Sequence, residues 1–223
     1  NDIFPSYNNL NAIHGSTVAT NAFLERNGKE CALLTTKGFE DVIFIGRGNR
    51  KDLYKIDYLP CKPFISKENI FGISERTNKD GEIKIEIDEN QIKDIAKSLN
   101  KKNVKNAAVV FLFSFFNPKN ELKVKSILQS YDIEVFISSE ICPEYREYER
   151  TSTTVINTYL APVIKSYLLH LKNDIKGKLS VMHSAGGIIT PDSAGKHAIK
   201  TLLSGPAGGV YGAFSLSKLV GIN

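Results

Sequence analysis

NAAVVFLFS, residues 106–114, is the stretch that decides the fold, because it is an apolar run between polar neighbours. A strand with one face in water alternates polar and apolar residues, whereas a strand buried on both faces is apolar almost throughout. Burial on both faces is typical of a parallel sheet covered by helices. The run therefore predicts a central strand of an α/β protein.

The segments on either side of this run carry helix signals. Before it, Asp88 is an N-cap candidate with Gln91 in the capping-box position, and the helix is predicted to reach about Lys101. After it, Asn117-Pro118 supplies an N-cap and a first-turn proline for a second helix. The predicted buried side of the first helix is formed by Ile92, Ile95, Ala96 and Leu99. That of the second helix is formed by Leu122, Val124, Ile127 and Leu128.

Other segments continue the alternation of strands and helices. Strands are predicted in CALLTT (31–36), EVFISS (134–139) and LSVMHS (179–184). A short helix is predicted in GFEDVIFIG (38–46), and a final helix follows residue 204. No repeat of fixed period is present, so the chain is predicted to form an α/β layer.

Three segments interrupt this alternation. Asp80-Gly81 favours a tight turn and predicts a hairpin, whose second strand has a dry face. That face is formed by Ile83, Ile85 and Ile87. An irregular loop is predicted from Gly46 to Pro63. The longest helical pattern runs from Arg150 to Lys172, and Pro162 is expected to kink or split it.

The composition describes an ordinary globular chain of one or two domains, with 223 residues that are 42% hydrophobic and 24% charged. The net charge is +5, but the lysines are scattered among acidic residues, so we predict no nucleic-acid partner. Cys31, Cys61 and Cys142 lack the spacing of a zinc site or disulfide framework, so no metal site is predicted. No apolar run approaches the ~20 residues of a membrane span, so we expect a cytoplasmic protein.

Two segments combine small polar residues and glycines at predicted helix starts. The polar segment, HGSTVATN, covers residues 14–21, and the glycine segment, SGPAGG, covers residues 204–209. Glycine lets backbone approach a ligand closely, and the free amides of a helix start favour anions. The alternatives are local, because Ser16 or Thr17 could cap a helix and the glycines could allow tight packing. The glycine segment matches neither a P-loop nor a dinucleotide-binding fingerprint.

Two further stretches are candidates for a site. HSAGG, residues 183–187, also places glycines directly after a predicted strand. PEYREYERTSTT, residues 143–154, interleaves Glu147 and Arg150 with tyrosines just before the long helix. Structural ion pairs at a helix start are the alternative explanation of these charges.

The order of these motifs and the residues in them resemble the hydantoinase A and 5-oxoprolinase family along nearly the whole chain. The similar stretches are HGSTVATNAFLERNGKECALLTTKGFEDVIFIGR, SSEICPEYREYERTSTTVINTYLAPV, HSAGGIITPDSA and TLLSGPAGGVYGA. The resemblance implies a family N-terminal region over residues 1–148. It also implies that residues 149–223 are the start of the family core region, ending in a connecting helix.

The resemblance implies an actin/hexokinase-like, ribonuclease H-like lobe with an inserted α+β segment. In that superfamily ATP and Mg²⁺ lie between two lobes, held by two glycine-rich loops that each open with Asp. The sequence contains neither loop, so we expect the first before Asn1, the second after Asn223, and no tight ATP binding by this chain alone. The glycine segment then begins the connecting helix beside the nucleotide cleft. The implied cleft residues are Gly205, Pro206, Ala207, Gly208 and Gly209.

The resemblance also implies ATP-dependent hydrolysis of a cyclic amide such as hydantoin or 5-oxoproline, in which phosphorylation activates the ring carbonyl. The implied catalytic residues are Glu147, Arg150 and His14. Arg150 would hold substrate or phosphate, and Glu147 would orient Arg150 or water. The implied substrate-binding residues are Thr17, Thr20, Asn21, Thr151 and Ser184.

Two alternatives stay open for the function. One is an ATP-dependent carboxylase subunit. The other is a non-catalytic fragment or subunit that binds a partner supplying the phosphate loops. The implied partners are a small cyclic amide and either the remainder of the enzyme or a second hydantoinase-type subunit, with no nucleic acid and no membrane.

Overall fold

The computed structural model describes residues 10–49, 54, 62–175 and 177–221, and the chain divides into two compact units. The middle unit is Glu30–Tyr159, and the terminal unit joins the chain up to Lys29 with the chain from Leu160. Most of the predicted irregular loop lies outside the described residues. The family boundary after residue 148 stays a prediction.

Strands and helices alternate along the described parts of the chain. The strands are β1 (Leu10–His14), β2 (Ala32–Thr36), β3 (Ile70–Ile73), β4 (Arg76–Thr77), β5 (Ile83–Ile85), β6 (Asn106–Val110), β7 (Glu134–Ile137), β8 (Gly177–Met182) and β9 (Ile188–Ile189). The α-helices are α1 (Val18–Leu24), α2 (Val42–Ile45), α3 (Glu89–Lys101), α4 (Lys119–Gln129), α5 (Ser138–Ile141), α6 (Glu147–Asp174), α7 (Pro191–Lys196) and α8 (Ser204–Leu219). Single 3₁₀ turns cover Lys67–Asn69 and Ala198–Thr201.

A four-stranded parallel sheet in the order β3-β2-β6-β7 forms the centre of the middle unit. β6 lies inside the sheet and all its residues are buried, as the apolar run predicted. The α/β prediction is confirmed. The strand ends earlier than the run, at Val110, and Phe113 has a left-handed backbone with φ of 55°. The chain therefore turns away at the carboxyl edge of the sheet.

Helix α3 shows how far the local signals reach. The Asp88 carboxylate accepts from the amide of Asn90 at 2.9 Å, which confirms the N-cap, and all four residues of the predicted apolar stripe are buried. Gln91 does not complete a capping box. Its side chain instead donates to the carbonyl of Gly72 at 3.1 Å and accepts from the amide of Ser74 at 3.3 Å. Gln91 therefore ties the helix to the end of β3.

The predicted hairpin is present, because β4 and β5 pair antiparallel and Gly81 has φ of 79° in the turn. The prediction that one face of its second strand is buried is wrong in part. Ile85 is 53% exposed, whereas Ile87 is buried in the core of the middle unit. Exposure does not alternate along β5, and only Ile87, beyond the end of the strand, reaches that core.

Helix α4 begins one residue later than predicted, since Pro118 is the N-cap and Asn117 accepts from the amide of Lys119 at 3.1 Å. Val124 and Leu128 are buried as predicted, but Leu122 is 46% exposed. Glu121 is fully buried in the same turn. The prediction failed at Leu122 because this turn of the helix presents a carboxylate, rather than an apolar residue, to the interior.

In the terminal unit, β8 pairs parallel with β1 and antiparallel with β9. Sequence periodicity predicted β8 but neither of its partners. α6 is not split at Pro162, which lies inside a single continuous helix. Across the described ranges, no helix is both long enough and apolar enough to cross a membrane.

Candidate functional site

The polar segment and the glycine segment lie against each other in the terminal unit, although they are at opposite ends of the sequence. The Ser204 hydroxyl donates to the carbonyl of Ser16 at 3.1 Å, and the Ser16 amide donates to that hydroxyl at 3.4 Å. The amide of Leu203 donates to the Thr20 hydroxyl at 3.0 Å. The start of α8 is therefore attached to the turn between β1 and α1.

Two glycines make this approach possible. A Cβ atom on Gly15 would lie 3.2 Å from the carbonyl oxygen of Ser204. A Cβ atom on Gly205 would lie 3.0 Å from Cγ2 of Thr17. Both distances are shorter than ordinary carbon contacts, so these two glycines serve the packing of the two segments.

An open pocket of about 310 Å³ lies beside this junction. It is lined by Ile13, Gly15, Met182, Gly205, Gly208, Gly209, Tyr211 and Gly212. Gly209 and Gly212 differ from Gly205, because no atom lies within 4 Å of the position that their Cβ atoms would occupy. These two glycines are not required by packing within the described residues, and they leave backbone of α8 open to the pocket.

Three of the five predicted cleft residues line this pocket, namely Gly205, Gly208 and Gly209, whereas Pro206 and Ala207 do not. α8 begins at Ser204, directly after Leu203 in a left-handed conformation with φ of 61°. Amides in the first turn of a helix have no partner within the helix and favour negatively charged groups. The pocket thus combines glycine backbone with the side chains of Ile13, Met182 and Tyr211 next to a helix start.

His14 is the last residue of β1 and is half-buried. Its Nε2 lies 2.7 Å from the hydroxyl of Tyr167 on α6. Burial lowers the pKa of His14 below its usual range. Tyr167 was not among the predicted site residues, because it belongs to the regular apolar pattern of the long helix.

The other predicted substrate-binding residues of the terminal unit have simple environments. Thr17 is the N-cap residue of α1, but its side chain makes no capping hydrogen bond, and the Ser16 hydroxyl instead accepts from the amide of Val18 at 3.1 Å. Thr17 and Asn21 are exposed. The Ser184 amide donates to the carbonyl of Lys200 at 2.8 Å, in the turn that follows β8.

The remaining predicted residues belong to the middle unit, where Arg150 is only 2% exposed. Its guanidinium donates to the carbonyl of Phe111 at 2.7 Å and to the hydroxyl of Ser114 at 3.0 Å, and it lies 5.1 Å from the ring of Phe115. Its Nε has no hydrogen-bond partner among the described residues. Thr151 is buried and Glu147 is exposed at the start of α6. The predicted site residues are thus divided between the two units.

Arg150 belongs to a buried network at the carboxyl edge of the parallel sheet. The edge network consists of Thr36, Glu75, Ser114, Asn120, Glu121, Ser138 and Arg150, all of them buried. Ser114 and Ser138 hydroxyls lie 3.1 Å apart, and Ser138 donates to Glu121 at 2.6 Å. Arg150 can only donate, so the hydroxyls of Ser114 and Ser138 are oriented in turn toward the Glu121 carboxylate.

Glu121 is the main acceptor of this network. Besides Ser138, its carboxylate accepts from the amide of Phe111 at 3.0 Å, the amide of Ser139 at 3.0 Å and the hydroxyl of Ser139 at 2.7 Å. These partners follow β6 and β7. The carboxyl ends of neighbouring strands are thereby joined to α4, and through Arg150 to α6.

Glu75 occupies the other side of the edge network. Thr36 donates to one carboxylate oxygen, Asn120 donates to the other at 3.0 Å, and the Thr36 hydroxyl accepts from the amide of Leu112 at 3.0 Å. Burial raises the pKa of Glu75 in spite of these donors. The charged form of Glu75 is therefore disfavoured by the fold.

This pKa shift predicts a pH dependence of stability. Between the unfolded and the raised folded pKa, the folded state binds more protons, so stability falls as pH rises above about 4.5. We expect Glu75→Gln to gain stability relative to the native chain over that window, with a constant difference at higher pH. Urea unfolding of both proteins from pH 4 to pH 8 measures the difference.

The control is Glu82→Gln, because the hydrogen bond from Lys84 lowers the pKa of Glu82. The change of stability with pH then has the opposite sign: the native chain loses stability relative to Glu82→Gln as pH falls. A difference for Glu75→Gln that did not change with pH would contradict the assignment.

The described residues contain no group of three or more His, Cys, Asp and Glu side chains that could hold a metal ion. Mg²⁺ is usually bound by carboxylates together with the phosphates of its nucleotide. The residues that line the glycine-lined pocket include no carboxylate for the cation.

The fold and the pocket define the class of the molecule: an α/β protein with a glycine-lined pocket at the start of a helix. The profile described as "Hydantoinase/oxoprolinase N-terminal region" matches residues 8–132, and that described as "Hydantoinase/oxoprolinase" matches residues 150–223. The chain belongs to the hydantoinase/oxoprolinase family, which confirms the resemblance in the motifs.

Two curated relatives illustrate the similarity. An uncharacterized protein of Methanocaldococcus jannaschii is 38% identical over 95% of this chain and 32% of its own length. The 5-oxoprolinase of Saccharomyces cerevisiae is 32% identical over 89% of this chain and 18% of its own length. The chain thus spans about a third or less of the length of these relatives.

Two solved structures share the fold. The ATP-dependent caprolactamase of Pseudomonas jessenii superposes with a TM-score of 0.84 and 29% identity, over 95% of this chain and 32% of that one. The nucleotide-free structure of acetone carboxylase, which carries out ATP-dependent acetone carboxylation, superposes with a TM-score of 0.81 and 28% identity, over 94% of this chain and 32% of that one. Relatives in the family thus include ATP-dependent enzymes.

Proposed function

We propose that this chain is part of an ATP-dependent cyclic amide hydrolase of the hydantoinase or 5-oxoprolinase type. The observation that carries the proposal is the junction of the polar and glycine segments, which leaves a glycine-lined pocket at the start of α8. The similarity to a 5-oxoprolinase and to an ATP-dependent caprolactamase supports it. We also propose that the chain contributes to an actin/hexokinase-like lobe.

The chemistry follows from the stability of amides. Transfer of the γ-phosphoryl group of ATP to the ring carbonyl oxygen releases ADP and converts the amide carbon into a stronger electrophile. Water then attacks that carbon, the carbon–nitrogen bond of the ring breaks, and phosphate leaves. The chain's residues bind and orient the reactants in this scheme, and they hold hydrogen bonds at the oxygen where charge develops.

Most of the predicted residues have a place in this proposal. His14 donates to the substrate, and Thr17, Thr20, Asn21 and Ser184 lie on the substrate side. The amides at the start of α8 lie beside the nucleotide phosphates, and Mg²⁺ is held mainly by residues outside this chain. Arg150 can contact substrate directly only if its guanidinium gives up the hydrogen bond to Phe111 or to Ser114 and donates to an oxygen of the substrate instead. Glu147 is exposed, so its carboxylate can contact substrate without breaking a buried hydrogen bond.

An ATP-dependent carboxylase subunit is the second candidate, favoured by the similarity to acetone carboxylase. Both candidates use ATP, and they differ in what is activated. Cyclic amide hydrolysis needs only water as the second reactant, whereas carboxylation needs bicarbonate and a ketone. A subunit that binds a partner supplying the phosphate loops is compatible with either reaction.

The test is calorimetric titration of the chain with Mg-ATP, followed by phosphate release from the complete enzyme with hydantoin, 5-oxoproline, or acetone and bicarbonate. We expect no tight binding by the chain alone, and phosphate release from the complete enzyme that depends on a cyclic amide. Phosphate release that depends only on the ketone and bicarbonate would replace the hydrolase by the carboxylase.

The open glycines give a more specific prediction. Gly209 lies inside α8 with space in front of it, so Gly209→Ala should stabilise the chain by about 0.5–1 kcal/mol through helix propensity. The added methyl group occupies the pocket, so we expect weaker Mg-ATP binding by the complete enzyme, by about tenfold. Urea unfolding and nucleotide titration measure the two effects.

Gly205→Ala is the matched comparison, because its methyl group would meet Thr17 rather than the pocket. We expect that variant to be less stable than Gly209→Ala. If Gly209→Ala bound nucleotide as tightly as the native enzyme, the pocket would not lie beside the phosphates.

A further inference from the structure

Within the part of the chain that the structure describes, Tyr167 is the only residue that hydrogen-bonds to the side chain of His14. The two rings are tilted by 41°, with centroids 5.7 Å apart, and the hydroxyl lies 2.7 Å from Nε2. Both residues are half-buried in the terminal unit. The contact occupies one ring nitrogen and leaves Nδ1 for another partner.

Either group can donate in this hydrogen bond, depending on the tautomer of His14. Bonds from N–H groups to oxygen are most often 2.9–3.0 Å long, whereas hydroxyl donors make shorter bonds. The 2.7 Å between Nε2 and the phenol oxygen suits a phenol that donates to Nε2, and this is the arrangement that the proposal below puts to the test. A neutral imidazole that accepts at Nε2 carries its proton on Nδ1.

The surroundings of His14 keep the ring neutral. A small cavity beside it is lined by Ser16, Ala19, Ile164, Tyr167, Leu168, Val181, Thr201 and Ser204. These residues supply hydroxyl groups but no carboxylate and no cation. No charged partner in that lining stabilises an imidazolium, and burial lowers the pKa of His14.

We propose that Tyr167 is a positioning residue that holds His14 as a neutral donor, with its proton on Nδ1, for an oxygen of the substrate. The proposal rests on the proposed function, and it specifies the role of His14 there. In the proposed tautomer Nε2 accepts from Tyr167, so it does not serve as the base of the reaction. A neutral imidazole can hydrogen-bond a carbonyl or phosphoryl oxygen as negative charge grows on it, as in other enzymes that use neutral histidine as an electrophile.

The test is long-range proton–nitrogen NMR of the chain with labelled histidines, recorded over a range of pH. His14→Gln assigns the signals of His14 among the four histidines. In the native chain we expect a protonated Nδ1 and a bare Nε2. In Tyr167→Phe we expect a shift toward the Nε2-protonated form, and a higher pKa of His14, since the donor to the neutral ring is lost.

Tyr131→Phe is the control, because it removes a tyrosine hydroxyl from the middle unit and should leave His14 unchanged. A native His14 protonated on Nε2, or a tautomer that does not respond to Tyr167→Phe, would overturn the proposal. Turnover is not needed for this readout. Phosphate release with a cyclic amide by the complete enzyme decides the proposed function separately, and there Tyr167→Phe should lower kcat about tenfold with little change in KM.

Discussion

Glu121→Ala is expected to destabilise the protein by about 3–5 kcal/mol, the size of effect seen when one partner is removed from a buried charged network. The native carboxylate accepts four hydrogen bonds from Phe111, Ser138 and Ser139. In the variant these buried donors lose their acceptor, and each unsatisfied buried group costs about 1–3 kcal/mol. Arg150 also loses the carboxylate to which the serine hydroxyls connect it. Urea unfolding measures the change.

Glu140→Ala is the matched control for this prediction. Glu140 also makes an ion pair, with Lys125 at 2.7 Å, but its side chain is 48% exposed. Surface pairs contribute about 0–1 kcal/mol, so this variant should remain close to the native stability. Equal and small effects of the two substitutions would contradict the assignment of Glu121 as the main acceptor of the edge network.

Arg150→Ala is expected to have the second large effect, again about 3–5 kcal/mol. The substitution leaves the carbonyl of Phe111 without its donor and the Ser114 hydroxyl without the guanidinium. It also leaves the Glu121 carboxylate without the nearby positive charge. Arg150→Lys keeps the charge but not the planar fork that reaches both partners, so we expect an intermediate loss of stability.

Arg150→Ala also distinguishes a positioning role of Arg150 from a direct contact with substrate. A positioning role predicts that Arg150→Ala loses activity together with stability, and that Glu121→Ala does the same. A residue that only touches substrate would lose kcat while urea unfolding stayed near that of the native chain. Arg47→Ala is the control, since Arg47 pairs with Glu149 at 2.6 Å on the surface, and little change in stability is expected there.

Local sequence signals predicted the regular elements wherever the local and tertiary preferences agree. The apolar run became β6, and the Asp88 cap with its four-residue stripe became α3. The hairpin turn at Gly81 needed only a left-handed glycine. Such patterns depend on neighbours along the chain and on the period of side-chain burial, which the sequence displays directly.

The failures have a common cause in tertiary contacts. Leu122 was predicted to be buried and Glu121 was not considered, because a carboxylate enters the core only if donors from other elements meet it there. Gln91 left its capping position for the end of β3. Strands β1 and β9 were missed because they depend on pairing with β8, and β9 has only two residues.

In the candidate site, too, local sequence predicted some features and tertiary contacts decided the others. The sequence selected His14 and the glycine segment, and it identified the family through the order of its motifs. It could not show that residues 188 positions apart, Ser16 and Ser204, would contact each other, or that Tyr167 would meet His14.

The amino-acid sequence by itself determined the α/β class, the main helices and the family, because periodicity, caps and motif order are properties of neighbouring residues. The tertiary structure alone decided which glycines are needed for packing and which leave a pocket open. It also decided that Arg150 lies in a buried network. The physical reason is that hydrogen bonds and close contacts between distant segments depend on where the fold places them, and no local pattern encodes those distances.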